Sequence, residues 1–419
     1  MNVFSLKLVT VARAYANNLR IETLVFAWMS GPLLSVAAVT DGPLGKIDLT
    51  VNAKATYDSN VFSMPSNTFK GHKKKKSSLK SSSDLILSLT PAAHFTKKIK
   101  MIEIQGTLGA RGTYFLRNRH KSYVDPITTL SIDFDESLSK RVSNNAKIRF
   151  DAIFDVGQKT ETTVLENDLM SYTYYSAGIN SRYNHSPKFG VGAGLTYSYR
   201  DYQSISGGNQ YQDVTTTPIS GRAFYIYSPK LDFFTEYIYS PTRGGRSANQ
   251  TLDAAMHTVN FGIQGDLFTK VSGSFRIGHI SKTYEGNLPS QDSMSLEANF
   301  SWKLNQKTSV GINSSRRFQP SPQDRSILTT VMDLSVNHRL NEKMTGSIHS
   351  SWSSSDYTTG SRTGLINGGN LKTVTLGAAL RKTLSQRFSV GGGYDFSTSD
   401  QTRGDFDRHL MYIEAIGRY

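Results

Sequence analysis

Few residues in this chain have the types and spacing that enzyme chemistry needs. Nine histidines are scattered, at His72, His94, His120, His185, His257, His279, His338, His349 and His409. None forms a His-x-x-x-His pair, and neither a nucleophile elbow nor a phosphate-cradling glycine loop occurs. Cysteine is absent, which excludes a disulfide scaffold, a thiolate metal site and a cysteine nucleophile. Serine is so abundant that Ser–His proximity is expected by chance, so no catalytic residue is assigned and no enzyme activity is expected. Asp58 and Asn60 have the oxygens for calcium, but the same residues serve to cap a strand and turn the chain. No cofactor and no metal ligand is expected.

The charged residues are more informative. Arg111, Arg149, Asp151, Arg276, Glu297, Arg317, Asp333 and Arg339 all fall at alternate positions of otherwise apolar segments. Side chains of a strand alternate between its two faces. Each of these residues therefore lies on the polar face of an amphipathic strand, where it is a candidate to line an aqueous pore. Basic and acidic residues on that face nearly balance, so strong anion selectivity does not follow from the overall charge of +15.

The pattern is clearest from Ile47 to Asp58. Ile47, Leu49, Val51, Ala53, Ala55 and Tyr57 alternate with Asp48, Thr50, Asn52, Lys54, Thr56 and Asp58. The segment is about 12 residues long, close to what a tilted strand needs to cross a bilayer. Roughly 18 such segments follow one another to Tyr419, separated by turn signals. Their connections alternate between short Asn/Lys/Ser-rich turns, such as Asn305-Gln306-Lys307 and Ser385-Gln386-Arg387, and longer Gly/Ser/Asn-rich loops. The expected fold is all-β: a transmembrane antiparallel up-and-down β-barrel of about 18 strands, with short periplasmic turns and long extracellular loops. An even count puts both termini on the periplasmic side.

Three features favour membrane over a soluble sheet. The apolar face is nearly free of charge, with Arg316 and Lys382 as the exceptions. The polar face is charged on most strands, which suits a water-filled interior. Aromatics gather at the ends of the apolar rows: Tyr57, Tyr114, Tyr199, Tyr239 and Trp352 at the outer ends, Trp302 and Tyr419 among those at the inner ends. Two such belts mark the two membrane–water interfaces. The mean hydropathy of −0.38 fits, because only alternate residues face lipid.

Residues 1–38 read as a signal peptide. Lys7, Arg13 and Arg20 precede an uncharged run from Thr23 to Thr40, which passes through Ser35-Val36-Ala37-Ala38. A membrane anchor is the other reading of that run. Residues 39–419 then form the barrel, with a lysine-rich first extracellular loop over 58–83. Lys73, Lys74, Lys75 and Lys76 there, near Lys70, His72 and Lys80, offer a patch for lipopolysaccharide phosphates or an acidic polysaccharide. A merely solvated loop carries the same residues. Nucleic acid is not an expected partner, because the aromatics lie on the lipid face and not in a basic groove.

The segment Ala55-Thr56-Tyr57-Asp58-Ser59-Asn60-Val61-Phe62, followed by Ser83-Asp84 and by Leu89-Thr90-Pro91, resembles the start of the Putative beta-barrel porin 2 family. That resemblance implies a Gram-negative outer-membrane barrel whose relatives often accompany capsule or exopolysaccharide production. It supplies no catalytic residues, and the lysine-rich insertion departs from the pattern. The terminal aromatic Tyr419 is similar to the signal that barrel-assembly machinery reads. The expected function is an outer-membrane channel for polar solutes, chiefly saccharides, with polysaccharide export as its favoured role and periplasmic export components as partners. A general diffusion porin and a non-conducting scaffold are the alternatives.

Overall fold

With one exception, strands consecutive in the chain pair antiparallel, and the first pairs with the last. We analysed a computed structural model, which describes residues 45–64, 81–135, 148–163, 168–203, 211–244, 253–285, 288–319, 321, 326–361, 364–401 and 404–419. Residues 1–38 and Lys73 to Lys76 lie outside this set. The strands are β1 (Lys46–Asp58), β2 (Asp84–Ile99), β3 (Ile102–Phe115), β4 (Tyr123–Asp135), β5 (Ile148–Thr163) and β6 (Asp168–Asn184). Next come β7 (Phe189–Tyr202), β8 (Val214–Thr216), β9 (Ile219–Ser228), β10 (Leu231–Gly244), β11 (Ala254–Phe268), β12 (Val271–Tyr284) and β13 (Gln291–Lys303). The last are β14 (Thr308–Gln319), β15 (Ser326–Asn341), β16 (Met344–Ser361), β17 (Gly364–Thr383), β18 (Phe388–Gln401) and β19 (Phe406–Arg418).

The 19 strands make an 18-strand barrel. β8 and β9 occupy one stave, because both pair with β7 and with β10. Pro218 separates them. It has no N–H to give to the ladder, yet its carbonyl still accepts Thr196 N–H at 2.9 Å, so the stave continues across the break. At the closing seam Leu49 and Tyr419 exchange both backbone hydrogen bonds, at 2.9 and 2.8 Å. Closure leaves no open sheet edge, the condition for a β-structure to sit in lipid.

The apolar rows face outward. Phe189, Phe261, Ile348 and Ile413 stand 58, 64, 64 and 69% exposed. A continuous exposed belt of this kind needs a non-aqueous neighbour. The polar rows face inward, as contacts that skip a stave show: Arg276 of β12 reaches Glu236 of β10, and Arg182 of β6 reaches Asp232 of β10. Such reach is available only on the concave side of a cylinder.

Strands run further than their apolar rows. The apolar row of β5 ends at Val156, yet β5 continues to Thr163 and β6 begins at Asp168. Past the aromatic belt the outward residues become polar while backbone pairing continues, so hydropathy underestimates strand length there.

At the outer end the wall overlaps itself. Pairing between β13 and β14 stops at Leu296↔Arg316. Beyond that point inward residues of β12 and β13 meet residues on the outward row of β15 and β16: Lys282 Nζ bonds Ser326 Oγ at 2.9 Å, and Gln291 Nε2 bonds Thr358 Oγ1 at 3.2 Å. The tips of β14 to β16 therefore lie on the lumen side of their neighbours. Arg316, an exception on the apolar face, fills the split and donates to Ser293 Oγ (3.2 Å) and Thr330 Oγ1 (2.7 Å). Lys382, the other exception, lies near the short connection to β18, paired with Met344 and Val390 on the outward row.

Candidate functional site: the lumen

The inward face has two unlike walls. From β5 to β13 it carries an interlocked set of charges. Asp232 is fully buried, and its Oδ2 accepts from Arg182 Nη1 at 2.6 Å and Gln264 Nε2 at 3.1 Å. The Arg182 guanidinium lies 4.2 Å over the Phe224 ring. Glu236, 2% exposed, bonds Arg222 Nε through Oε1 at 2.5 Å. Its Oε2 takes Arg276 Nη1 at 2.8 Å and Asn260 Nδ2 at 3.0 Å. Arg276 continues to Glu297 at 2.6 Å. Charges are neutralised pairwise, and burial of the carboxylates is offset by these charge-assisted bonds. A recess of about 190 Å³ opens beside the network, lined by Arg149, Asp151, Asn180, Arg182, Arg222 and Gln264 among others. Asp151 accepts Asn180 Nδ2 at 2.9 Å.

From β15 to β18 the wall is mostly hydroxyl. Thr373 and Ser399 are 2.9 Å apart, Thr375 and Ser397 2.8 Å, and Ser351 donates to Asp333 at 2.5 Å. A polar contact crosses it: His349 Nε2 of β16 and Asp395 Oδ1 of β18 meet at 3.4 Å over Gly377 of β17. A Cβ at Gly377 would stand 2.2 Å from Asp395 Oδ1, so the pair requires glycine there.

The structure thus gathers Arg149, Asp151, Arg276 and Glu297 on one wall. Asp333 joins the hydroxyl wall. Arg111 and Arg317 lie exposed on their strands away from the network, and Arg339 bonds Gln306 O at 3.1 Å at the short-turn end. The central members of the network are Asp232, Glu236, Arg182 and Arg222, which the polar rows contain but do not distinguish. A signal existed: Arg222↔Glu236 and Arg276↔Glu297 are direct cross-strand partners, and opposite charges favour that position.

Tyr57, Trp302 and Trp352 are exposed on the outward row. Tyr199 donates to Asp213 at 2.8 Å, and Tyr239 packs in a tilted arrangement against His257 with centroids 5.1 Å apart. Tyr114 pairs with Leu87 on the same row.

The motif around Asp58 is structural. Asp58 takes the Asn60 backbone N–H at 3.0 Å and the Arg408 guanidinium on both oxygens. Asn60 exchanges two 2.9 Å bonds with the Met64 backbone. These place Val61, Phe62 and Met64 against Phe115 at the outer end of the lumen. Asp58 is thus engaged by a cation and a turn N–H, the capping role its sequence position suggests. Among the described residues no cluster of three metal-ligating side chains occurs.

A closed antiparallel barrel with an apolar outer belt and a wet, charged interior defines a porin-type barrel of the outer membrane. The chain belongs to the Putative beta-barrel porin 2 family, whose match spans residues 50–419. No curated protein sequence matches it. Among solved structures it is similar to OccAB4 of Acinetobacter baumannii, with TM-score 0.45 and 11% identity over 90% of this chain and 99% of that one. It is also similar to the FrpB iron transporter of Neisseria meningitidis, with TM-score 0.46 and 8% identity over 84% and 62%. OpdQ of Pseudomonas aeruginosa gives TM-score 0.42 and 10% identity over 89% and 97%.

Proposed function

We propose that this barrel is a channel for polar solutes, saccharides foremost, and that its specific role is export of a polysaccharide to the cell surface. The observation that carries the reading is the pairing of two walls. One presents hydroxyls (Thr373, Thr375, Ser397, Ser399) and the other presents paired guanidinium and carboxylate groups. A sugar offers hydroxyls that both donate and accept, so it exchanges hydrogen bonds with either wall at little cost on leaving water. A barrel of this strand number leaves an aqueous lumen.

In the same reading, Tyr419 is the residue assembly machinery engages, the loop with Lys73 to Lys76 meets lipopolysaccharide or the exported polymer, and periplasmic export components are partners. Deletion tests it. Loss of surface polysaccharide with unchanged sugar uptake supports export; unchanged polysaccharide with slower uptake supports a diffusion porin instead.

A further inference from the structure

Six short turns end on a cation at one structural position. Lys188, Lys230, Lys270, Lys307, Lys343 and Arg387 each immediately precede a strand running away from the short-turn end. The carbonyl of each accepts a backbone N–H from the neighbouring stave at 2.8 Å, donated by Ile226, Asp266, Lys303, Arg339, Thr383 and Arg418 respectively. The same bond in six places fixes these residues at one level around the rim. All six side chains are exposed. The turn between β2 and β3 adds Lys98 and Lys100; the connection between β4 and β5 lies outside the described residues. The carboxylates at this rim, Asp48, Glu103, Asp133, Asp266, Glu342 and the C-terminal carboxylate of Tyr419, are fewer than the cations, to which Lys46, Arg339 and Arg418 also belong.

The residue after each cation is an outward one, as with Phe189, Leu231, Val271, Met344 and Phe388. Alternation starts the preceding side chain on the pore side. Lys230 follows this, reaching Asp266 of the inward row of β11 at 3.5 Å. Lys188 instead leans back over Tyr225, 5.9 Å from its ring. Successive cations are two staves apart and two to three residues apart along the strands, roughly 12–14 Å, somewhat more than the Debye length of about 8–10 Å at physiological salt. Their potentials overlap in part at physiological salt and merge into one positive belt at lower ionic strength. A single small anion meets one cation of such a belt, whereas a chain of repeated anions meets several and gains by multivalency.

We propose that this ring is the periplasmic docking surface for a polyanionic chain bearing carboxylate or phosphate groups, which it seats at the pore mouth. The proposal rests on the channel reading and names the charge class of its solute.

Two measurements test it. The first is binding of labelled polygalacturonate to the detergent-solubilised barrel, which does not depend on conductance. The second is block of an oriented single channel by the same polymer, with neutral dextran as control. The comparison protein carries Lys188→Gln, Lys230→Gln, Lys270→Gln, Lys307→Gln, Lys343→Gln and Arg387→Gln, with folding verified by heat-modifiable migration. The expected result is binding that the variant weakens about tenfold or more and that added salt weakens in the native barrel. Block should occur from the short-turn side at lower polymer concentration than from the loop side. Equal binding by the variant, equal block from both sides, or equal block by dextran overturns the proposal. So does a variant that loses only retention on phosphatidylglycerol vesicles, since the ring would then be a lipid contact. Polymer binding without any conductance would leave the ring standing and remove the channel reading.

Discussion

Asp58 and Arg408, 350 residues apart in sequence, close the outer end of the barrel seam. Arg408 Nε lies 3.0 and 3.1 Å from the two carboxylate oxygens, and Asp58 is 1% exposed. Across the other edge of β1, Asp58 faces Asp84 in register, and Asp84 is also buried. Like charges so placed repel. They coexist because each has its own donors: Arg408 for Asp58, and the Arg117 and Asn118 backbone with the Asn118 side chain for Asp84, at 2.8 to 2.9 Å.

Asp58→Ala removes the carboxylate and leaves Arg408 unpaired at the seam. Losing one partner of a buried pair costs about 3 kcal/mol or more. The folded band on a cold detergent gel should convert to the unfolded band at a lower temperature than in the native protein. Asp58→Glu, which keeps the charge, should recover part of the shift.

Side-chain direction is testable on β1 itself. Val51→Lys places a charge on the lipid face, at about 2–4 kcal/mol near the midplane, and should block assembly. Asn52→Lys points into water and should leave the heat-modifiable barrel intact. Equal yields of folded protein from the two would contradict the orientation.

The charged wall predicts a selectivity change. Glu236→Gln releases Arg222 and Arg276 from their shared carboxylate and adds one net positive charge to the lumen. Reversal potential in a salt gradient should move toward anion selectivity, and Arg276→Gln should move it the other way. No movement from either would mean that ions do not pass along this wall.

The overlapped outer end narrows the mouth through Lys282–Ser326 and Gln291–Thr358. Lys282→Ala frees the β14–β16 tips at a cost of about 1–3 kcal/mol. Single-channel conductance should rise or become noisier, with the barrel still folded. Unchanged traces would show that these tips do not bound the conducting path.

Much of the fold is legible in the sequence because a membrane barrel exposes its pattern on every strand: the row from Ile47 to Tyr57 alone fixes which face meets lipid. The break at Pro218 is less so, since a proline reads as the end of a strand although the stave continues past it. The overlap at β13–β14 leaves no local trace. Arg316 simply looks misplaced until Ser293 and Thr330 are seen around it. The site was legible as a polar row and not as a network. Asp232 and Glu236 look like any other inward carboxylates. What sets them apart is Arg182 and Arg276 reaching them from staves that are not their neighbours, and that depends on curvature, which the sequence pattern does not encode.

Conductance of the purified barrel in a planar bilayer tests the central claim most directly. A water-filled lumen predicts stepwise current increments as single barrels insert, with a rise or fall in reversal potential following Glu236→Gln and Arg276→Gln. A bilayer that stays sealed after insertion has been verified would contradict a channel and make this chain a non-conducting scaffold.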